Sequence, residues 1–555
     1  MGQFLARYKI SRRTIGSDLV AGLTLGVESV PDAMASAVLA GVNPIHGLYA
    51  VMLSTPVGAL FTSSVFMSVQ TTSALSLIVS QTPAVSGENY AQSLFVLAIL
   101  TGIFMLLAGV FKLGAFLRFV PNSVMTGFIN GVAVLIILGQ LGDLTGYYSE
   151  APNKVLQTID LGFNMNQIGI QSLMVGLVTI LMIILLSETR LSKMSMVIAI
   201  IVASLLVPLF NWDSVALVED ISEIPGSLPR PVLPSLSLIT ALILPALSIA
   251  IVGLVQGAGV SQNYANPDGK YPDASRDFIG QGVANVATGI FQGMPVGGSL
   301  SATSLVVSSG ARSRWANIFA GIVIAITVVV FGNFISKLAM SALAGLLIVI
   351  GFQTLRPDDV ETVWKTGNVE RVVMTITFVS TLLVPLQYAV LLGVVLSIVL
   401  FVFDQSNKVR LYEWVLESGE LPLEQPAPEA LPSNKAIILV PYGSLFYAAA
   451  PTFEEALPSV KGTYHAVAIL SLRGRPEVGS TLLAVLERYA ETLKTNHSRL
   501  ILAEVSSNVR RQLVHTGQIH SFGWENIYMA TERFGESLLD AYQDANRWIQ
   551  ELPDD

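Results

Sequence analysis

Two carboxylates, Glu28 and Asp32, stand in the first apolar stretch, within Gly26-Val27-Glu28-Ser29-Val30-Pro31-Asp32-Ala33. Four residues apart, they share one face of a helix. Burying a charge in hydrocarbon is costly, so acids at that depth are expected to bind something. Neighbouring carboxylates resist ionising together, which suits a shared proton or a sodium ion held between them. Pro31 has no N–H, so it is expected to break the helix and free carbonyls for the cation. The structural alternative is that either acid caps a broken helix or bonds a neighbouring one. Gln256 lies 228 residues after Glu28 and is expected in the equivalent place of a second repeat, bonding the solute, its cation or another helix.

A second kind of chemistry is suggested by two short segments, Thr72-Ser73-Ala74-Leu75-Ser76-Leu77-Ile78-Val79-Ser80 and Leu300-Ser301-Ala302-Thr303-Ser304-Leu305-Val306-Val307-Ser308. Six of the nine aligned positions are identical, and Pro295, Gly297 and Gly298 punctuate the approach to the second. Matched, interrupted, hydroxyl-rich segments in two halves of an apolar chain mark an inverted-repeat transporter whose half-helices meet in mid-membrane. Their free N–H groups and dipoles attract an anion. The expected lining is Gln70, Thr71, Thr72, Ser73 and Ala74 on one side and, largely through backbone N–H groups, Gly298, Ser299, Leu300, Ser301 and Ala302 on the other. No Lys or Arg follows in either segment until Arg312, so the anion meets dipoles and hydroxyls, and a divalent one gains from a co-bound cation. Close packing of small residues is the plainer alternative.

The elements that must hold these groups are membrane spans. The 555 residues are 52% hydrophobic and 13% charged, with a mean hydropathy of +0.62. A span needs about 20 apolar residues. Apolar runs fall at 16–40, 45–62, 69–81 (short), 92–115, 121–142, 167–187 and 192–210, then at 236–262, 276–293, 299–310 (short), 313–333, 337–356, 369–385 and 386–404. Seven plus seven, with the short run third in each set, inverts the second copy. With the N-terminus inside, Arg7, Lys9, Arg12, Arg13, Lys112, Arg118, Arg190, Lys193 and eight others as far as Lys408, with Arg410, fall on the cytoplasmic side. Only Lys154, Arg230 and Lys337 fall outside, where Glu88, Glu150 and Glu223 gather. This is the positive-inside pattern. It places both termini in the cytoplasm of a multi-pass cell-membrane protein. No removable signal peptide is read at the N-terminus.

The expected domains are a cytoplasmic N-terminus (1–15), a first transmembrane repeat (16–210), an outer loop (211–235), a second repeat (236–404), a proline-rich linker (405–434) and a small cytoplasmic α/β domain (435–555). There are no cysteines, which excludes thiolate metal sites, and the histidine spacing suggests no zinc. His46 is expected at the surface near an outer turn. No nucleophile–base grouping, phosphate loop or cofactor motif suggests an enzyme, and basic residues do not cluster for nucleic acid.

Asp18-Leu19-Val20-Ala21-Gly22-Leu23-Thr24, Pro31-Asp32-Ala33-Met34-Ala35 and Gly47-Leu48-Tyr49 resemble the opening signature of the SulP anion transporters, the sulfate permease family. Gly280-Gln281-Gly282-Val283-Ala284-Asn285 and Pro295-Val296-Gly297-Gly298-Ser299 resemble its second signature, and the C-terminal domain resembles a STAS domain. The resemblance implies a fourteen-segment fold of core and gate subdomains, elevator-like alternating access and a homodimer. It also implies a substrate between the third and tenth segments, of sulfate, bicarbonate, chloride or dicarboxylate type, and a STAS domain open to a regulatory protein. The chain departs from the family in having Val69-Gln70-Thr71 where Gly-Pro is common, Ala302 where an arginine is common, and Gln256 where an acid is common. Ser480, in Val478-Gly479-Ser480-Thr481, takes the phosphorylatable place without the usual preceding acid. The expected function is cation-coupled transport of sulfate or bicarbonate with H+ or Na+. The alternatives are an uncoupled anion channel, an exchanger, a nucleobase or dicarboxylate carrier, and a non-transporting sensor.

Overall fold

The structure is a computed structural model. It describes residues 14–85, 90–114, 120–189, 191–221, 226–416 and 421–552. Arg7, Lys9, Arg12, Arg13, Glu88, Arg118, Arg190 and Glu223, used above for orientation, lie outside the described residues, as does most of the expected N-terminal segment. Two compact units divide between Ser397 and Ile398.

A helix occupies each expected apolar run: α1 (Ile15–Leu39), α2 (Pro44–Phe61), α3 (Ser73–Ser80), α4 (Tyr90–Val110), α5 (Asn122–Gly139), α6 (Ile170–Ser187) and α7 (Ser195–Phe210). The second set is α8 (Ile239–Asn263), α9 (Ala274–Ile290), α10 (Leu300–Ser308), α11 (Trp315–Ile335), α12 (Met340–Thr354), α13 (Asn368–Leu383) and α14 (Leu386–Ser406). Among the described residues, eight helices are long and apolar enough to cross a membrane. Two amphipathic helices, Lys154–Phe163 and Pro357–Thr366, lie between spans and gave no apolar run.

The helices sort into two bodies. α1, α2 and α4 pack chiefly with α8, α9 and α11, while α5, α6 and α7 pack with α12 and α13. Small residues make the closest approaches possible, as expected where helices pack without a hydrophobic drive between them. A Cβ on Gly102 of α4 would meet the Gly282 carbonyl of α9 at 2.6 Å, and one on Gly282 would meet the Leu106 amide at 2.7 Å. Gly102→Val is therefore expected to cost about 1–3 kcal/mol by overpacking, read as a lower melting temperature in detergent. An unchanged melting temperature would show that α4 and α9 can separate freely.

Two expectations about this unit need correcting. Pro31 does not break α1, which runs through it from Ile15 to Leu39. The proline removes only the donor for the Val27 carbonyl, and packing on both sides keeps the helix whole. His46 is not at the surface: it is buried in α2, with Nδ1 2.7 Å from the Gln292 carbonyl and its ring edge-on to Phe95. The short segments are the helices α3 and α10, and each follows a three-residue strand that gave no sequence signal, β1 (Ser68–Gln70) and β2 (Gly297–Ser299).

The C-terminal unit carries a six-stranded sheet ordered β4-β3-β5-β6-β7-β8, from β3 (Arg410–Val415), β4 (Leu423–Pro426), β5 (Ala436–Tyr442), β6 (Val467–Ser471), β7 (Arg499–Val505) and β8 (Ile527–Met529). β5 to β8 are parallel, and β3 pairs antiparallel with both β4 and β5. Helices α15 (Ala450–Ala456), α16 (Ser480–Thr495), α17 (Ser507–His515) and α18 (Glu536–Gln550) accompany it. Leu482, Leu483, Leu486 and Leu493 of α16 join a core on one face with Leu439, Leu470 and Leu502. Leu538, Ala541 and Ala545 of α18 cover Ile438, Ile469 and Ile501 on the other. The expected linker 405–434 is thus corrected, because much of it is the antiparallel edge of this sheet. Tyr442 and Trp414 both donate to Glu424 across that edge, which holds its carboxyl below the usual range.

Candidate functional site

β1 and β2 pair antiparallel between the two repeats, with Ser68 opposite Ser299, Val69 opposite Gly298 and Gln70 opposite Gly297. Each strand leads into a short helix of its own repeat, β1 into α3 and β2 into α10. The two short segments that matched in sequence therefore meet at their N-terminal ends. Each such end has donors that its own helix cannot satisfy.

The strands are braced by polar side chains from neighbouring helices. Ser54 of α2 donates to the Val69 carbonyl at 2.6 Å. Ser68 donates to Asn317 Oδ1 of α11 at 2.6 Å, and its amide donates to Thr303 Oγ1 of α10 at 3.0 Å. On β2, Asn285 of α9 accepts from the Val296 amide at 2.9 Å and donates to the Val296 carbonyl at 2.7 Å. Gln281 Oε1 accepts from the Gly298 amide at 2.9 Å. Both are fully buried. This satisfies irregular backbone that would otherwise be costly in an apolar interior. Gln281 and Asn285 had stood out only as signature residues; their spacing of four on an apolar helix was the available signal. Ser54, Asn317 and Thr303 carried none.

The two helix tips differ. Ser299, at the N-cap of α10, accepts from the Ala302 amide at 3.3 Å and lies 3.1 Å from the Ser301 hydroxyl. With the Ala302 amide capped, the α10 tip keeps the amides of Leu300 and Ser301 without intrahelical acceptors. At the N-cap of α3, the Thr72 side chain makes no capping bond; it donates instead to Gln256 Oε1 of α8 at 3.1 Å. The amides of Ser73, Ala74 and Leu75 are left without intrahelical acceptors. The α3 tip thus keeps more unsatisfied N–H donors than the α10 tip.

Gln70 Nε2 donates to Ser29 Oγ of α1 at 2.9 Å and reaches Thr55 Oγ1 at 3.4 Å. That bond brings the carboxylate turn of α1 against β1. Among the described residues, Glu28 Oε2 and Thr71 Oγ1, each one residue away from the Ser29–Gln70 bond, are buried without a hydrogen-bond partner. Asp32 lies one turn further along, half-buried. The Ser29–Gln70 and Thr72–Gln256 bonds thus bring α1 and α8 against the chain that enters α3, with Glu28 and Asp32 on the same helix as Ser29. Ala302 faces away, its methyl packed with Ala21, Leu25 and Ala316. Leu300 packs into the main core and Ala74 is buried there too, so these three offer backbone only. Ser301 is exposed.

Among the described residues, no Lys or Arg side chain is hydrogen-bonded at either tip. Arg314 is buried, with its guanidinium donating to the carbonyls of Ala59, Thr62 and Ser63. Asp18 accepts from the amides of Arg312 and Ser313 at 2.7 and 2.9 Å. Asp277 does the same for Ser63 and Ser64 at 2.6 and 3.0 Å. Both acids stitch loops together. Among the described residues no cluster of His, Asp and Glu could hold a metal ion. In the C-terminal unit, Ser480 is the exposed first residue of α16.

Gln256→Leu tests the Thr72 contact. Losing one neutral hydrogen bond while leaving its partner unmet is worth about 1–3 kcal/mol, so the half-saturating anion concentration is expected to rise about tenfold at similar maximal flux. An unchanged value would remove Gln256 from the site.

The chain is similar to known proteins in family and fold. The family model described as "Sulfate permease family" matches residues 15–377, and the STAS domain model matches residues 427–533. YvdB of Bacillus subtilis, provisionally named a sulfate transporter, is 25% identical over 536 residues, covering 95% of this chain and 98% of YvdB. The structure of the mouse anion transporter Slc26a9, described as inward-facing, is similar with a TM-score of 0.84 at 21% identity, covering 98% of this chain and 93% of that one. The transmembrane domain of the cyanobacterial bicarbonate transporter BicA is similar with a TM-score of 0.59 at 19% identity, covering 70% of this chain and 99% of that domain.

Proposed function

Because this chain belongs to the sulfate permease family and carries a STAS domain, we propose that it is a secondary active carrier of a small inorganic anion. The observation that carries the reading is the α3 tip: free amides at Ser73, Ala74 and Leu75, with Thr72 tied to Gln256 and two carboxylates of α1 alongside. The anion sits on those amides and the Ser73 hydroxyl, opposite Ser301 of α10. Asp32, with Glu28, takes the coupling H+ or Na+. That cation neutralises the acids next to the arriving anion, so neither charge is carried through the low-dielectric interior alone.

The anion belongs to the sulfate or bicarbonate class named for the relatives. Dipoles and hydroxyls without a fixed cation favour a single negative charge, and a dianion is accommodated only with its cation bound. The fourteen helices act as spans, the body containing α3 and α10 moves against the body containing α5 and α12 to alternate access, and the carrier is a homodimer in the cell membrane with both termini cytoplasmic. Uptake of labelled sulfate and bicarbonate into proteoliposomes, with pH and sodium gradients imposed separately, tests substrate and coupling together. Accumulation above equilibrium under one gradient supports the reading. Large voltage-driven flux with no accumulation under either gradient would instead make the protein an uncoupled channel.

A further inference from the structure

The C-terminal unit has a groove along α17 that the transport reading leaves unused. It is lined by Arg510, Arg511, Val514 and His515 of the helix and by Trp524 and Met529 opposite, around a volume of about 340 Å³. Residues 507, 510, 511 and 514 fall on one helical face, so the lining runs for about 10 Å at 1.5 Å per residue. The floor is apolar and open, with Trp524 50% exposed and Val514 44% exposed. The rim is basic. Arg510 stacks over Trp524 at 5.5 Å, and Arg511 bonds only the amide oxygen of Asn508 on its own helix.

Elsewhere in this unit, Arg473 pairs with Glu504, Arg488 with Glu454, Arg533 with Glu536 and Arg547 with Asp544, while Arg410 and Arg475 donate to backbone carbonyls and Arg499 lies over Trp548. Among the described residues, neither Arg510 nor Arg511 makes such a pair. Two unneutralised arginines thus flank an exposed tryptophan on a chain whose net charge is −8. Exposed Trp and Arg are the residue types that dominate binding interfaces, and complementary charge selects the partner.

We infer that this groove docks an acidic peptide segment of a partner protein, with an apolar side chain on Trp524 and Val514 and flanking carboxylates on Arg510 and Arg511. The two arginines are adjacent on α17, and the apolar floor of Val514, Trp524 and Met529 beside them calls for an apolar side chain next to the negative charge, which a peptide supplies and a compact phosphate group does not. A membrane surface calls for a denser cluster of about 4–8 basic residues.

The test is selection from a displayed library of random eight-residue peptides on the full chain in detergent. Enrichment of Asp and Glu flanking Leu or Phe is expected. The selected peptides should bind at least tenfold more weakly to Arg510→Gln/Arg511→Gln and to Trp524→Ala, while Arg547→Ala binds as the native chain does. The charge-reversed Arg510→Glu/Arg511→Glu chain should select basic peptides instead, which a merely misfolded variant would not do. Selection without acidic bias, or equal binding to the double variant, would overturn the proposal. Displacement of the selected peptides by ATP or by phosphatidylglycerol vesicles at lower concentration than by the peptides themselves would overturn the partner class.

Discussion

Asp32→Asn is expected to abolish accumulation while leaving downhill exchange within a few-fold of the native rate. A gradient of one pH unit stores about 1.4 kcal/mol, enough for about tenfold accumulation of a solute coupled to one proton. Native protein in such a gradient should approach that ratio, and the variant should stay near one. The asparagine keeps the size and hydrogen-bonding reach of the side chain, so α1 and the Ser29–Gln70 contact are preserved while the group loses its charge and its proton. Glu28, whose Oε2 is buried without a partner, should show a weaker form of the same effect as Glu28→Gln. Accumulation by Asp32→Asn equal to that of the native chain would reject coupling through this residue. If sodium is the coupling ion, the same comparison under a sodium gradient carries the result.

Gly298→Ala should reduce uptake about 5- to 100-fold. A methyl at this position would lie 2.7 Å from the Cα of Gly257, so β2 must move away from α8. Overpacking of this kind costs about 1–3 kcal/mol, and every 1.4 kcal/mol is a factor of ten. The displacement falls on Gly257, the neighbour of Gln256, and on the Gly298–Gln281 bond that aims β2. A matched control exists in the same helix: a Cβ at Gly259 meets nothing within 4 Å, so Gly259→Ala should transport normally. Equal loss in both variants would point to general destabilisation of α8, and normal transport by Gly298→Ala would show that the strands need not be held so closely.

Much of this architecture was legible in the chain because a membrane simplifies the code. The apolar runs place every helix from α1 to α14 within a few residues, and the short third run of each set marks α3 and α10. The repeated Ser-Ala and Ser-Leu positions also identified the tips that meet. The pairing of β1 with β2 was not legible. Three-residue strands have no periodicity of their own, and their partners lie in the other repeat. Pro31 misled because a proline's missing donor usually ends a helix in water, whereas packing and low dielectric hold α1 together here. His46 misled because loop proximity says nothing of which face an N-terminal turn buries.

The misread linker has a similar cause. Prolines at 422, 426, 428 and 432 suggested an extended connector, yet Pro426 closes β4 at the sheet edge, where a missing N–H costs no ladder bond. The aromatic and β-branched run Leu411-Tyr412-Glu413-Trp414-Val415 was the strand signal that composition obscured. Within the site, Ala302 was placed on the lining through its backbone, by its position in the repeat; its methyl packs with residues of α1 and α11, a side-chain direction that depends on helix rotation and so on tertiary packing. The unequal capping of the two tips likewise depends on where Thr72 and Ser299 turn their hydroxyls, which no spacing reveals.

Binding of selenate, located by anomalous scattering, tests the position of the anion most directly. The account predicts a single peak between the tips of α3 and α10, within about 3.5 Å of the amides of Ser73, Ala74 or Leu75 and on the side of Gln256. A peak elsewhere in the transmembrane unit, or α3 and α10 running on as unbroken spans through residues 69 and 298, would contradict it.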